Sequence, residues 1–360
     1  MTKLTGKDLR IVTNRDISLH QAPFPKPHLE AFETPLRIDV IEDYLLKSGF
    51  ITASDIVEVP RASPRDVLEV HTSYVLDSVA VMSDLGSGVL GESAYASPGL
   101  LRSALGAVGG AIGAMERVTQ RETNHAFALI RPPGHHASTS SPMGLCFFNN
   151  ASIAVEQAFH HEEIDRVSIL DFDNHHGNGT SEIFYSEDKV QYISLHEYDY
   201  DMCGTGHYNE VGHGEAVGTN VNIPLVDGSP DVSYEEAIER IVIPSIERFE
   251  PSLIAVSAGY DSHYADPVGN MNVDSSTFWR FGKKVDYLVE ETSALGSFWV
   301  LEGGYNPLVL GLSVEASLRG LKGEKMPVRR DQIERTANQD AIKRNRDIID
   351  IVQETVELHR

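Results

Sequence analysis

Short apolar runs, each broken off by a cluster of glycine and ionisable residues, recur along this 360-residue chain. Residues 126–130 run into Arg131, Pro132, Pro133, Gly134, His135 and His136. Residues 167–170 run into Asp171, Phe172, Asp173, Asn174, His175 and His176, and residues 192–195 into His196 and Glu197. Residues 253–257 lead to Gly259, Tyr260 and Asp261, and residues 298–301 to Glu302, Gly303, Gly304 and Tyr305. Unbroken apolar runs of four or five fit strands of a parallel sheet covered on both faces. Helix-period stretches lie between them at 103–118, 151–160, 234–249 and 277–295. This alternation predicts an α/β fold, a single domain with a central mostly parallel sheet and helices on both faces. In such sheets the site lies beyond the carboxyl ends of the strands, so five strands aim their polar loops at one edge.

The chain has no Pro/Ser-rich linker and no internal repeat, which predicts one domain over 1–360. After Gly323 it becomes strongly charged, while Ile348, Ile349, Val352, Val356 and Leu358 mark one apolar helical face. Residues 323–360 therefore read as a charged C-terminal helical extension packed on the body. The 53 acidic and 30 basic residues give a formal charge of −23. That balance opposes nucleic-acid binding, which needs Lys/Arg-rich surface; it suits a cationic substrate or simple solubility equally. No run approaches a membrane span, and residues 1–10 lack the apolar core of a signal peptide. Cys146 and Cys203 are the only cysteines, read as free thiols of a cytoplasmic protein.

The densest chemistry follows the second run. Asp171, Asp173 and His175 are spaced by two, so in extended backbone their side chains leave on one face. Carboxylates and an imidazole at a strand end suit a borderline cation such as Zn²⁺. A polar loop after a core strand is the plain alternative. The recurrence of ionisable, glycine-flanked loops at the other strand ends favours a catalytic metal site.

Together these loops resemble the histone deacetylase family, which includes bacterial and archaeal histone deacetylase-like amidohydrolases, acetylpolyamine amidohydrolases and acetoin-utilisation-type proteins. The matching pieces are residues 131–137, 143–150, 171–180, 257–262 and 302–305, with weaker matches from about Leu36 and Arg37 through 97–99 to Gly320. The run His175, His176, Gly177, Asn178 is similar to the class II branch. The resemblance implies an arginase/deacetylase-like fold and a Zn²⁺ held by Asp173, His175 and Asp261. It implies His136 as general base, oriented by Asn178, and His135 polarised by Asp171. Tyr305 is implied as the oxyanion donor and the Gly144 carbonyl as acceptor of the substrate N–H. It also implies structural K⁺ at Asp171, Asp173, His175, Ser194 and Leu195, with a second K⁺ near Phe184 and Val190.

Four positions depart from the family's pattern. Leu145 and Met202 stand where most lysine deacetylases carry aromatic rings that flank the substrate stem. Glu92 replaces the usual rim Asp, and Val268 stands where polyamine-selecting members can carry Glu. An aliphatic wall of this kind implies a poor histone-type deacetylase and a small N-acyl amine as substrate. His263 and Tyr264 read either as rim or as surface loop.

The favoured expectation is thus a zinc-dependent amidohydrolase that removes an acyl group, foremost acetyl, from an amine or acyl-lysine. Two alternatives remain. An arginase-like ureohydrolase with two Mn²⁺ needs bridging carboxylates, and the segment Asp261, Ser262, His263 lacks the second Asp. A non-catalytic acyl-amine binding protein would be expected to have lost a ligand, a tandem His or the Tyr. The oligomeric state is open.

Overall fold

The computed structural model describes residues 8–202, 204–326 and 331–359; Cys203 lies outside them. Eight strands form one sheet: β1 (Leu9–Thr13), β2 (Ile56–Glu58), β5 (His125–Ala128), β6 (Val167–Asp171), β7 (Val190–Glu197), β8 (Asn220–Leu225), β9 (Leu253–Ala258) and β10 (Ser297–Leu301). Their order is β2-β1-β5-β10-β9-β6-β7-β8, and every pairing is parallel. A two-stranded antiparallel ribbon, β3 (Gly88–Gly91) and β4 (Ala94–Ala96), stands apart.

The five apolar runs are interior strands, joined by β1 as a sixth, and all residues of β5, β6, β9 and β10 are buried. Burial on both faces is why these strands show no alternation. The helices are α1 (Leu36–Lys47), α2 (Pro64–Val67), α3 (Ser73–Leu85), α4 (Leu100–Thr119), α5 (Asn150–Ala158) and α6 (Asn178–Phe184). They continue as α7 (Asp231–Ala237), α8 (Ile243–Phe249), α9 (Ser275–Glu291), α10 (Leu310–Leu321) and α11 (Gln339–Leu358). One group of cover helices pairs α4 with α5, the other α9 with α10 and α1. In α9, buried Phe278, Phe281, Val285 and Leu288 recur at helical spacing behind an Asp274 cap that accepts the Ser276 N–H at 2.8 Å. In α4, glycine permits close approach: a Cβ at Gly109 would stand 2.3 Å from the Pro60 carbonyl.

The expected helix at 234–249 divides. A π turn over Ile238–Val242 separates α7 from α8. Pro244 supplies the reason, since it has no N–H to bond a carbonyl one turn back. The chain crosses from β5 to β6, skipping two positions that β9 and β10 fill later. The carboxyl ends of β5, β10, β9 and β6 therefore lie side by side, and the site is built there.

Candidate active site

β6 ends at Asp171, and the loop beyond it is held by its own carboxylates. Asp171 Oδ1 accepts the Asp173 N–H at 3.1 Å, and Asp173 Oδ1 accepts the His175 N–H at 3.0 Å. Each Asp caps the amide two residues on, fixing the next side chain. β9 pairs directly with β6, Ser257 opposite Asp171. Asp261, three residues beyond β9, accepts the Asn174 N–H at 2.9 Å through Oδ1. His175 Nδ1 then lies 3.2 Å from Asp173 Oδ1 and 3.1 Å from Asp261 Oδ2.

These separations fit a metal. Bonds of about 2.0–2.1 Å around a tetrahedral Zn²⁺ place ligand atoms about 3.3–3.4 Å apart. Beyond the His175 Nδ1 contact, the buried Asp261 Oδ2 has no partner among the described residues, an arrangement that is costly unless a positive group faces it. Burial, then the Asp173 charge, pushes the Asp261 carboxyl up. Burial also opposes ionisation of Asp173, but His135 and His175 hold it well below the usual carboxylate range. Glycine makes the room. A Cβ at Gly259 would stand 2.1 Å from Asp173 Oδ2, and one at Gly303 2.3 Å from Asp261 Oδ2.

The tandem histidines arrive from the loop after β5. His136 Nδ1 lies 2.7 Å from Asn178 Oδ1, so it carries the proton and leaves Nε2 as acceptor. Burial, then the imidazoles of His135 and His175, push His136 down to about 3. His135 Nδ1 lies 3.1 Å from Asp171 Oδ2, which also accepts the Tyr192 hydroxyl at 2.9 Å. Burial would lower His135, but Asp173, Asp171 and Glu302 raise it to about 10. The two neighbouring imidazoles are thus shifted in opposite directions, with ring centroids 4.1 Å apart.

Tyr305 follows β10 and is buried under the Arg37 guanidinium, 4.7 Å above its ring. Burial raises its phenol well above 10; Arg37 opposes this, while Asp261 and Asp173 reinforce it. Gly144 has φ +55°, and a Cβ there would stand 2.4 Å from His136 Cδ2. Its N–H donates to the Glu92 carbonyl at 2.8 Å, and the Leu145 N–H donates to Ser93 at 2.9 Å. The β3–β4 turn is therefore tied to the site loop, with the Glu92 side chain exposed and Leu145 buried. Met202 is 69% exposed, and Val268 is half-buried with its N–H on Asp266. Asp171 pairs with Ser194 across β6 and β7; Ser194, Leu195, Phe184 and Val190 are buried. His263 belongs to neither rim nor surface: it is buried, 3.3 Å from Asp331. Tyr264 beside it is half-buried under Arg335.

Several supporting residues escaped sequence reasoning. Glu302 Oε2 accepts the N–H groups of Gly134 and His135 at 2.7 and 3.1 Å, and burial raises it to about 7. Asp266 accepts the Tyr305 and Asn306 N–H groups at 2.7 and 3.0 Å. Arg37 donates to the carbonyls of Gly304 and Glu302. Glu33 binds Arg131 at 2.5 and 2.8 Å and Arg37 at 3.2 Å, all three buried. Glu302 and Arg131 stood at strand ends in the sequence, and Arg37 within a weaker family match.

Residues 31–321 match the histone deacetylase domain. The chain belongs to the histone deacetylase family. It is accordingly a hydrolase acting on amide bonds. It is 36% identical over 317 residues to a histone deacetylase-like amidohydrolase of Pseudomonas aeruginosa, covering 87% of this chain and 83% of that one. It is 40% identical over 270 residues to a probable deacetylase of Methanothermobacter thermautotrophicus, covering 75% and 80%. The solved HDA15 HD domain superposes with a TM-score of 0.85 at 29% identity, over 98% of this chain and 97% of that one. The histone deacetylase fold accounts for the eight-stranded sheet and its helices. Among the described residues no helix is long and apolar enough to cross a membrane.

Proposed function

We propose that this chain is a zinc-dependent deacetylase that hydrolyses an N-acyl, foremost N-acetyl, amide of a small amine. The observation that carries the reading is the trio Asp173, His175 and Asp261, with the buried Asp261 Oδ2 3.1 Å from His175 Nδ1. A dication held there supplies Lewis-acid polarisation of the amide carbonyl and a more acidic water. His136, neutral and with Nε2 free, takes the proton of the attacking water and returns it to the leaving amine. Asn178 holds that tautomer without adding charge. His135, kept cationic by Asp171, faces the negative charge that builds during attack. Tyr305 keeps its proton and donates a hydrogen bond to the forming oxyanion. The Gly144 carbonyl accepts the substrate N–H, since glycine permits close backbone approach.

Structural K⁺ is assigned to Asp171, Asp173, His175, Ser194 and Leu195, and a second to the stretch from Phe184 to Val190. The aliphatic Leu145 and the exposed Met202 leave the acyl-lysine stem without flanking rings. This favours small N-acyl amines over histone tails. The two-metal alternative finds less support. A second candidate group, His135, Cys146 and Glu302, shares no residue with the first, so no carboxylate bridges them. The test is turnover of N-acetyl amines by zinc-loaded protein and its loss on chelation. Tyr305→Phe should retain the metal and lose about 10²–10³ in kcat; near-normal kcat would remove Tyr305 from the mechanism.

A further inference from the structure

Tyr305 also lines a cavity of about 350 Å3. Its walls carry two cations, Lys26 and Arg37, with Gln21 and Thr34 as neutral hydrogen-bonding groups and Phe32 as an apolar face. None of its lining residues is acidic, in a chain with 53 acidic residues and only 30 basic ones. The local charge is therefore opposite to that of the whole molecule.

Behind the Arg37 side of this wall lies further positive charge, while the Asp266 carboxylate holds the Tyr305 N–H on the other side. Arg37 and Arg131 share the single carboxylate of Glu33, leaving one uncompensated positive charge in a buried trio. Lys26 reaches over the Phe32 ring at 4.8 Å and has no carboxylate partner among the described residues. Lys26 faces an organic-sized hollow. Volumes from about 300 Å3 upward suit a small-molecule group.

We propose that this cavity is a subsite for a carboxylate carried by the substrate, drawn in by Lys26 and the Arg37 side of the wall. The proposal rests on the amide-hydrolase reading, because Tyr305 lines the cavity and so connects it to the scissile bond. Two sources supply the same chemistry. The carboxylate stands either on the acyl chain, as in a half-amide of a dicarboxylic acid, or on the amine, as in an N-acyl amino acid. Both place a negative group beside the cations while the amide meets Tyr305.

The test compares zinc-loaded protein on two substrate pairs. One pair is N-succinylbutylamine and its methyl ester, the other N-acetyl-β-alanine and its methyl ester. The quantity read is the ratio of kcat/KM for acid over ester. In one pair the wild-type ratio should exceed one by about three- to tenfold, the range of a partly screened charge contact; that pair identifies the source. Lys26→Gln should bring the ratio near one, and Lys26→Glu should invert it. Ratios near one in both wild-type pairs, or a ratio untouched by Lys26→Glu, would overturn the subsite. Calorimetric titration with glutaramate and its methyl ester reads the subsite without turnover. Lys26-dependent binding of glutaramate with no hydrolysis of any N-acyl amine would sink the hydrolase reading and leave the subsite standing. Binding indifferent to Lys26→Glu would sink the subsite.

Discussion

Gly144 shows how narrowly single residues set this site. With φ at +55° and His136 Cδ2 2.4 Å from where a Cβ would stand, Gly144→Ala must either strain the backbone or displace the base. Displacement of a reacting group by about 1 Å costs about 10² in rate. We expect Gly144→Ala to fold and to lose at least that factor in kcat, measured with circular dichroism as the folding control. Glu33 makes a comparable demand on stability. Burial would raise its carboxyl, but Arg131 and then Arg37 hold it at about 2, below its ordinary 4.5. A depressed acid contributes stability above pH 4.5 and loses it as pH falls toward 2. Glu33→Gln leaves two buried guanidiniums without their counter-charge and should cost about 3–5 kcal/mol at pH 7. Denaturant unfolding should show that gap narrowing as the pH drops below 4.5; a gap independent of pH would refute the assignment. The proposed metal ligands, the tandem histidines and Tyr305 stood out in the sequence because each follows an apolar run. Glu33 and Asp266 did not, because the Arg131 guanidinium and the Tyr305 N–H that they bind lie 98 and 39 residues away in sequence.

At the scale of elements, five interior strands were readable from apolar runs, though interior β1 was not, and the buried face of α9 from helical spacing. On α11 the expected face holds for Ile348, Ile349 and Val352, but Leu358 is exposed at the helix end. The edge strand β2 is short and only half-buried, so its pattern is faint. The split between α7 and α8 needed the consequence of Pro244 to be followed back along the helix. The least expected contact is a tether from the charged C-terminal segment. Asp331 Oδ2 lies 3.3 Å from His263 Nε2 and accepts the Ser275 N–H at 2.8 Å. Arg335 reaches Asp231 at 2.5 Å and Asp274 at 3.0 Å, above the Tyr264 ring. This tether clasps the loop that carries Asp261 and Asp266. The alternatives for His263 stayed open in the sequence because its partner lies 68 residues on. Asp331→Ala removes a buried acceptor from two donors and should lower stability by about 1–3 kcal/mol. Because that loop carries a proposed ligand, zinc affinity should fall as well, read by competition with a chromogenic chelator. Unchanged affinity would make the tether purely structural.

For the whole molecule, the strand order explains why one sheet edge gathers so much charge. Inserting β9 and β10 between β5 and β6 brings four strand ends together. Asp171, Asp173, Asp261 and Glu302 converge there, all buried. Such a cluster is sustained by His135, His175 and, on the reading above, a dication. Metal that binds only the folded state adds stability by mass action, so chelation should lower the melting temperature as well as stop turnover. The central claim is one zinc per chain, held by Asp173, His175 and Asp261. Elemental analysis of active wild type beside Asp173→Ala tests it most directly. The account predicts one equivalent of zinc in the wild type and a variant that has lost both zinc and hydrolysis. Two equivalents of manganese in active enzyme, or full activity in metal-free Asp173→Ala, would contradict it.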